Sequence, residues 1–243
     1  GRRRWMVEPA ASLAGANWRY AAGRLALVME RHPAWTVFLC AVILRFAAVF
    51  ALRGYVDDAG GDAVRYLSLA RDILMGRPYG ASSGDIARVP LYPIFIALHV
   101  SIFGASLQWI SVTQALLDAI TAVMLGSLAV SLSGRSLGWG VGALWAVYPP
   151  AVLNSPLIFP YPLQVFWLTF ATLLMVRGVR RDSLWRLAAA GALWGAACLT
   201  RAGYLLFVRV FAMLPLRLPW RNPLVSRQRR VAGLLLVLVA TAA

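Results

Sequence analysis

Asp57, Asp58 and Asp62 fall within one short stretch of chain, with Arg88 some way behind, Arg201 much later, and Tyr66, Tyr79 and Tyr92 interspersed. Carboxylate oxygens gathered in this way suit a hard divalent cation, so a metal held by Asp57, Asp58 and Asp62 is one chemistry the spacing permits; a merely solvated acidic loop is the other. Asp62 also stands at the head of an apolar-periodic stretch, where an aspartate caps a helix N-terminus, a role worth around 1 kcal/mol. Arginine carries a planar fork of donors that matches phosphate oxygens in pairs. Arg88 stands just before a proline-rich run and Arg201 at the end of an apolar one. In both places a cation either meets a phosphate or snorkels to a lipid headgroup. The tyrosines can contact a sugar or serve as interfacial belt residues. His32 and His99 have no second ligand at useful spacing, which argues against zinc.

The elements that must position these side chains are set by composition. Of 243 residues, 60% are hydrophobic and 14% charged, and the mean hydropathy is +0.70. Soluble domains run at about 45–50% apolar and about 25% charged, so the composition points to a membrane. It excludes disorder, which needs a chain too polar to bury a core. Two cysteines, Cys40 and Cys198, both in apolar runs, exclude a disulfide scaffold. The net charge of +15 is the balance of 24 arginines, with no lysine, against nine acids. Because those arginines border apolar runs of spanning length, membrane orientation accounts for them better than nucleic acid does.

The apolar runs cover residues 35–52, 107–132, 137–153, 156–176, 184–200 and 203–216, with a last run over 231–243. The expected fold is an all-α polytopic membrane protein: about six transmembrane helices plus the start of a seventh, because single segments crossing lipid must satisfy their backbone internally. The final thirteen residues rise only about 20 Å against a hydrocarbon core of roughly 30 Å, so the reading takes the chain as a fragment truncated within that span. Residues 1–33 form an Arg-rich segment without a clean span or signal peptide. With the N-terminus inside, sixteen arginines lie on the inner side and six on the outer. That bias predicts a multi-pass protein of the cell's inner membrane with a cytoplasmic N-terminus, and an outer-face loop over 53–106 between spans one and two. The loop holds five of the nine acids. Within it, residues 63–75 show helical spacing, with Tyr66, Leu67, Ala70, Ile73 and Leu74 on the apolar face and Arg65, Ser68, Arg71 and Asp72 on the polar one. Residues 90–103 are apolar but too short to cross, an interfacial or re-entrant element.

The succession Gly61-Asp62-Ala63-Val64-Arg65-Tyr66, Gly76-Arg77-Pro78-Tyr79, Arg88-Val89-Pro90-Leu91-Tyr92-Pro93 and Phe103-Gly104 resembles the first outer loop of GT-C-type glycosyltransferases. That membrane-embedded class includes protein mannosyltransferases and the lipid A aminoarabinose transferase (glycosyltransferase family 39-like). The run Ala190-Gly191, Gly195, Leu199-Thr200-Arg201 is similar to a later helix of the class, and the resemblance spans about residues 36–243. It implies a GT-C-like transmembrane domain over 34–243. The implied activity is an inverting transfer of a sugar from a polyprenyl-phosphate donor to a glycan, lipid or protein acceptor at the outer, periplasmic face. Membrane lipid is then a partner and nucleic acid is not. An acid just after the first span acts at the active site, and Asp62 is the position that matches; Asp58 and Asp57 align less well. A general base must reach the acceptor hydroxyl, and a carboxylate held at the interface can do so. Arg88 and Arg201, with Tyr66 and Tyr92, become the substrate-binding candidates, the arginines meeting charge on the departing phosphate. In the family the loop after the third span often carries a Glu; residues 154–162 here hold no acid. A transporter or flippase, which would line a midplane cavity with ionisable groups, and a catalytically inactive GT-C-like scaffold are the alternatives.

Arg45 and Asp118 fall inside spans one and two, about 10 Å and 16 Å below the outer end at the helical rise. An unpaired charge at such depth costs roughly 2.5–3.5 kcal/mol. The expectation is an ion pair between them that fixes the two spans; the alternative has Arg45 facing a lipid-phosphate cavity.

Overall fold

The computed structural model describes residues 31–53, 61–207, 210 and 213. Eight α-helices are present among them: α1 (Pro33–Ala51), α2 (Asp62–Leu74), α3 (Leu91–Phe103), α4 (Gln108–Ser133), α5 (Arg135–Val147), α6 (Pro149–Asn154), α7 (Tyr161–Arg180) and α8 (Leu184–Thr200), followed by a 3₁₀ turn, Ala202–Phe207. No strand occurs among the described residues. Three helices, α1, α4 and α7, are long and apolar enough to cross a membrane; α3 and α8 are shorter apolar helices. Large apolar side chains such as Trp35, Ile43, Phe50 and Leu144 stand exposed on the bundle's outer faces, as expected where lipid replaces water as the surrounding medium. The Arg-rich 1–30, half of the run 203–216 and the whole of 231–243 lie outside the described residues.

Helix α4 is the axis of the bundle, packing on α1, α5 and α7, while α7 pairs with α8. Its contact faces are built from small residues. Ala119 and Ala122 of α4 bury against Val37 and Ala41 of α1 and Ala146 of α5, the small-residue approach that lets apolar helices gain van der Waals contact without a hydrophobic driving force. The α4–α5 seam is tightest: a Cβ at Gly138 would stand 2.2 Å from the Val130 backbone nitrogen, and one at Gly142 would stand 2.9 Å from the Ala122 carbonyl. Gly138→Ala is therefore expected to force the two helices apart and cost about 1–3 kcal/mol or more. Gly140→Ala, where nothing lies within 4 Å, should be neutral or stabilising by about 0.5–1 kcal/mol. Thermal unfolding of the two variants in detergent checks the contrast.

The predicted span over 137–153 is not one helix. Pro149 and Pro150 interrupt it: Tyr148 is extended (φ −64°, ψ 113°) and the chain restarts as the single-turn α6. A residue before proline is pushed out of the helical region, and neither proline has an N–H to give to the carbonyl four residues back. Those carbonyls are Trp145 and Ala146. Arg45 supplies the missing donors, its Nη2 reaching the Trp145 carbonyl at 3.2 Å and its Nη1 the Ala146 carbonyl at 2.9 Å. Its Nε pairs with Asp118 Oδ2 at 2.5 Å, and Trp145 Nε1 donates to Asp118 Oδ1 at 3.2 Å. The expected pair is present, and it ties three helices instead of two.

The predicted start of the next span is also displaced. Residues 155–160, bounded by Pro156 and Pro160, are not helical, and α7 begins at Tyr161. Buried polar groups of α4 take up their free carbonyls. Gln114 Nε2 donates to Leu157 at 2.6 Å and Ser155 at 3.2 Å, and the Ser111 hydroxyl donates to Pro156 at 2.5 Å. Upon this end of the bundle sits the platform of α2 and α3, whose Ala63, Tyr66, Ala70, Tyr92 and Ile96 cluster with Ile110 of α4 and Leu163 of α7. The helical spacing expected for 63–75 holds with two differences: Asp72, assigned to the polar face, is fully buried, and Leu74, assigned to the apolar face, is 44% exposed.

Candidate functional site

At the junction of platform and bundle lies a cavity of about 250 Å³ whose lining includes Asp62, Tyr66, Arg88, Tyr161, Thr200 and Arg201. Four separate stretches of chain contribute. The first turn of α2 brings Asp62 and, one turn on, Tyr66; the turn-and-bend segment before α3 brings Arg88; the start of α7 brings Tyr161; the end of α8 brings Thr200 and Arg201.

Asp62 does not cap α2. The N-cap is Gly61, at φ +60°, and Asp62 is the first helical residue. The left-handed conformation that glycine tolerates sets the entry angle instead, and the carboxylate turns to Arg88. Arg88 Nη2 lies 2.8 Å from Asp62 Oδ1, and Arg88 Nε lies 2.6 Å from Asp85 Oδ2. The guanidinium also stands 4.7 Å from the centre of the Tyr66 ring. Burial opposes its charge, but the hydrogen bonds to Asp85 and Asp62 and the adjacent Tyr66 outweigh that and push its pKa above the ordinary arginine value. The site keeps a permanent cation. Across the cavity, Arg201 covers the Tyr161 ring at 4.7 Å, the geometry of a cation–π contact. Asp62 Oδ2 accepts no hydrogen bond from the described residues.

The segment between α2 and Arg88 is tied back to both of them. Tyr79 donates its hydroxyl to the Arg88 carbonyl at 2.9 Å, and the Ser82 hydroxyl and amide both donate to the buried Asp72. Those Ser82 bonds, together with the charges of Arg77 and Arg71, hold the Asp72 carboxyl below its usual range although burial acts the other way. A carboxylate with a lowered folded pKa stabilises the fold fully above its unfolded value near 3.8 and loses that contribution as pH falls through the lower folded value. The thermal midpoint should therefore drop below that pH in the native chain, and Ser82→Ala should flatten this acid limb. A pH series of melting curves on both proteins checks it.

Four of the residues singled out from sequence, Asp62, Tyr66, Arg88 and Arg201, meet at the cavity. Arg88 is ion-paired and so does not simply snorkel. Tyr92 is not among the lining residues: it is fully buried, its hydroxyl donates to Gln114 Oε1 at 2.8 Å, and its ring packs edge-on under Tyr66 at 5.0 Å. It supports the site floor and cannot touch a substrate there. Asp57 and Asp58 lie outside the described residues. Among the described residues no group of three His, Cys, Asp or Glu side chains is placed to hold a metal, and the Asp62 oxygen nearest a cation is already paired with Arg88. Sequence reasoning passed over Asp85, three residues before Arg88, although that spacing was a visible signal for an ion pair. It also passed over Gln114, a polar residue inside an apolar run, and Tyr161, whose place at the cavity follows from the late start of α7. His99, read as isolated from metal partners, hydrogen-bonds the Phe95 carbonyl at 2.8 Å and the Thr113 hydroxyl at 3.0 Å, joining α3 to α4. No family model, curated protein or solved structure matches the chain.

Proposed function

We propose that the chain is part of an integral-membrane glycosyltransferase that moves a sugar from a polyprenyl-phosphate donor to an acceptor hydroxyl at the outer face, with inversion. The supporting observation is the meeting of Asp62, Arg88 and Arg201, from three distant parts of the chain, on one cavity of about 250 Å³ at the end of an apolar helix bundle. Lipid-linked chemistry needs a phosphate-binding cation beside an apolar surface, and a proton acceptor within reach of the attacking hydroxyl. Arg88 and Arg201 serve the first need. As the sugar–phosphate bond breaks, its electron pair stays on phosphate, where two fixed guanidinium groups lower the barrier. Asp62 serves the second, taking the proton of the acceptor hydroxyl as the new glycosidic bond forms. Tyr161, 42% exposed, offers a ring surface of the kind a sugar packs against, while the buried Tyr66 backs Arg88. Arg201→Gln is expected to lower transfer about 10- to 100-fold by removing one of the two cations, read in nanodiscs holding a radiolabelled polyprenyl-phosphate sugar.

A second reading, transport of a lipid-linked sugar, has one feature in its favour: Asp118, at mid-depth, lines a second cavity of about 170 Å³ that shares Tyr161 with the first. Arg45 neutralises that carboxylate, so the cavity carries little charge for an ionic cargo. Movement of label between leaflets with the sugar–phosphate bond intact would favour this reading; appearance of label on an acceptor favours transfer.

A further inference from the structure

We propose that Arg88 works as an exchange latch, releasing Asp62 when phosphate oxygens arrive while Asp85 keeps the guanidinium in the cavity. The inference rests on the lipid-phosphate reading above and adds to it a positioning residue, Asp85, and an order of events.

The two carboxylates hold Arg88 unequally. Asp85 binds Nε at 2.6 Å with both side chains 18% exposed, whereas Asp62 binds Nη2 at 2.8 Å while 54% exposed. Water competes with an exposed pair and weakens it, and a shielded pair feels a lower effective dielectric. The guanidinium is further fixed by the Tyr66 face, and its own backbone carbonyl by Tyr79. An anion entering the cavity therefore displaces Asp62 most cheaply. Nη2 turns from carboxylate to phosphate, Nε stays with Asp85, and the Asp62 carboxylate is freed at the moment the donor is seated. The base is thus masked in the empty site and exposed by donor binding.

The signature is a pair of opposite effects. Asp62 and phosphate compete for the same N–H, so Asp62→Asn should tighten phosphate binding. Asp85 holds the binding group in place, so Asp85→Asn should weaken it. Loss or gain of one charge-assisted hydrogen bond corresponds to about tenfold in affinity. The test uses the full chain in phosphatidylcholine nanodiscs, with polyprenyl monophosphate titrated in and occupancy read by native mass spectrometry. Inorganic phosphate and neutral polyprenol form two further arms. Expected are about tenfold tighter binding of polyprenyl monophosphate in Asp62→Asn, about tenfold weaker binding in Asp85→Asn, and partial recovery in Asp85→Glu. Inorganic phosphate should follow the same signs, and polyprenol should not respond. Shifts of the same direction in both variants, no shift in either, or no binding to the native chain would overturn the latch. Because Asp62 is half exposed, its variant should fold even where Asp85→Asn does not, and failure to tighten binding in that variant alone overturns it. Opposite shifts in a chain that transfers no sugar would uphold the latch and sink the transferase reading; transfer with parallel shifts would do the reverse.

Discussion

Arg45→Met is expected to be the most destabilising single substitution in the described part of the chain, costing about 3–5 kcal/mol through the Asp118 charge left buried without its partner. The Ala146 carbonyl also loses its donor, while the Trp145 carbonyl keeps the Tyr148 N–H at 3.2 Å; an unsatisfied buried group adds about 1–3 kcal/mol. Arg45 is wholly buried. Asp118→Asn should be milder, since an amide oxygen can still accept from Trp145 Nε1 and Arg45 keeps both carbonyls. The cause can be isolated. Replacing Pro149 and Pro150 by alanine restores N–H groups that can serve these carbonyls, Ala146 above all, so Arg45→Met should cost less in that background by about 1–3 kcal/mol. Unfolding midpoints of the four proteins in one detergent read this coupling directly; strict additivity would mean that Arg45 does not act as the surrogate donor.

The second large effect concerns activity. Asp62→Asn keeps the size of the side chain and an oxygen that can accept from Arg88, but it removes the basicity. A positioned general base contributes about 10²–10⁴-fold, so transfer should fall by that amount while the melting temperature stays within a few degrees. The small stability effect follows from exposure: with 54% of the Asp62 side chain exposed, its ion pair with Arg88 contributes little. A loss confined to the chemical step, with donor binding intact or improved, separates a catalytic carboxylate from a structural one.

What could be read from the residues, and what could not, divides along physical lines. The helical character of the runs at 35–52, 107–132 and 184–200 was legible because bilayer length and backbone satisfaction leave few solutions. The Arg45–Asp118 pair was legible because two buried charges of opposite sign at similar depth have a strong reason to meet. The bounds of α8 follow the sequence reading because Leu184–Thr200 is a clean apolar run, ended where Thr200 gives way to Arg201. The predicted span over 137–153 failed at Pro149 and Pro150, where hydropathy says nothing about missing donors and backbone chemistry says everything. Asp72 was misplaced because its partner, Ser82, sits beyond the helix in a segment turned by Gly76 and Gly80, both at positive φ; helical periodicity carries no information about such a return. At the site, Asp62, Arg88 and Arg201 could be chosen by chemical type, but nothing in their spacing disclosed that Asp62 would pair with Arg88 in preference to capping its own helix. Tyr92 was misread for a related reason: it was chosen by residue type as a sugar contact, while its hydroxyl is taken by Gln114, twenty-two residues further on.

The central claim is that the Asp62 carboxylate, beside two arginines, takes the acceptor's proton as sugar leaves a lipid phosphate. Its most direct test is a single-turnover assay of the native chain and Asp62→Asn in nanodiscs loaded with radiolabelled polyprenyl-phosphate sugars. A panel of acceptors is supplied on the face that carries Arg88 and Arg201. The account predicts label transferred to an acceptor by the native protein and a rate about 10²–10⁴-fold lower in the variant, with donor still bound. Equal rates in the two proteins would contradict it.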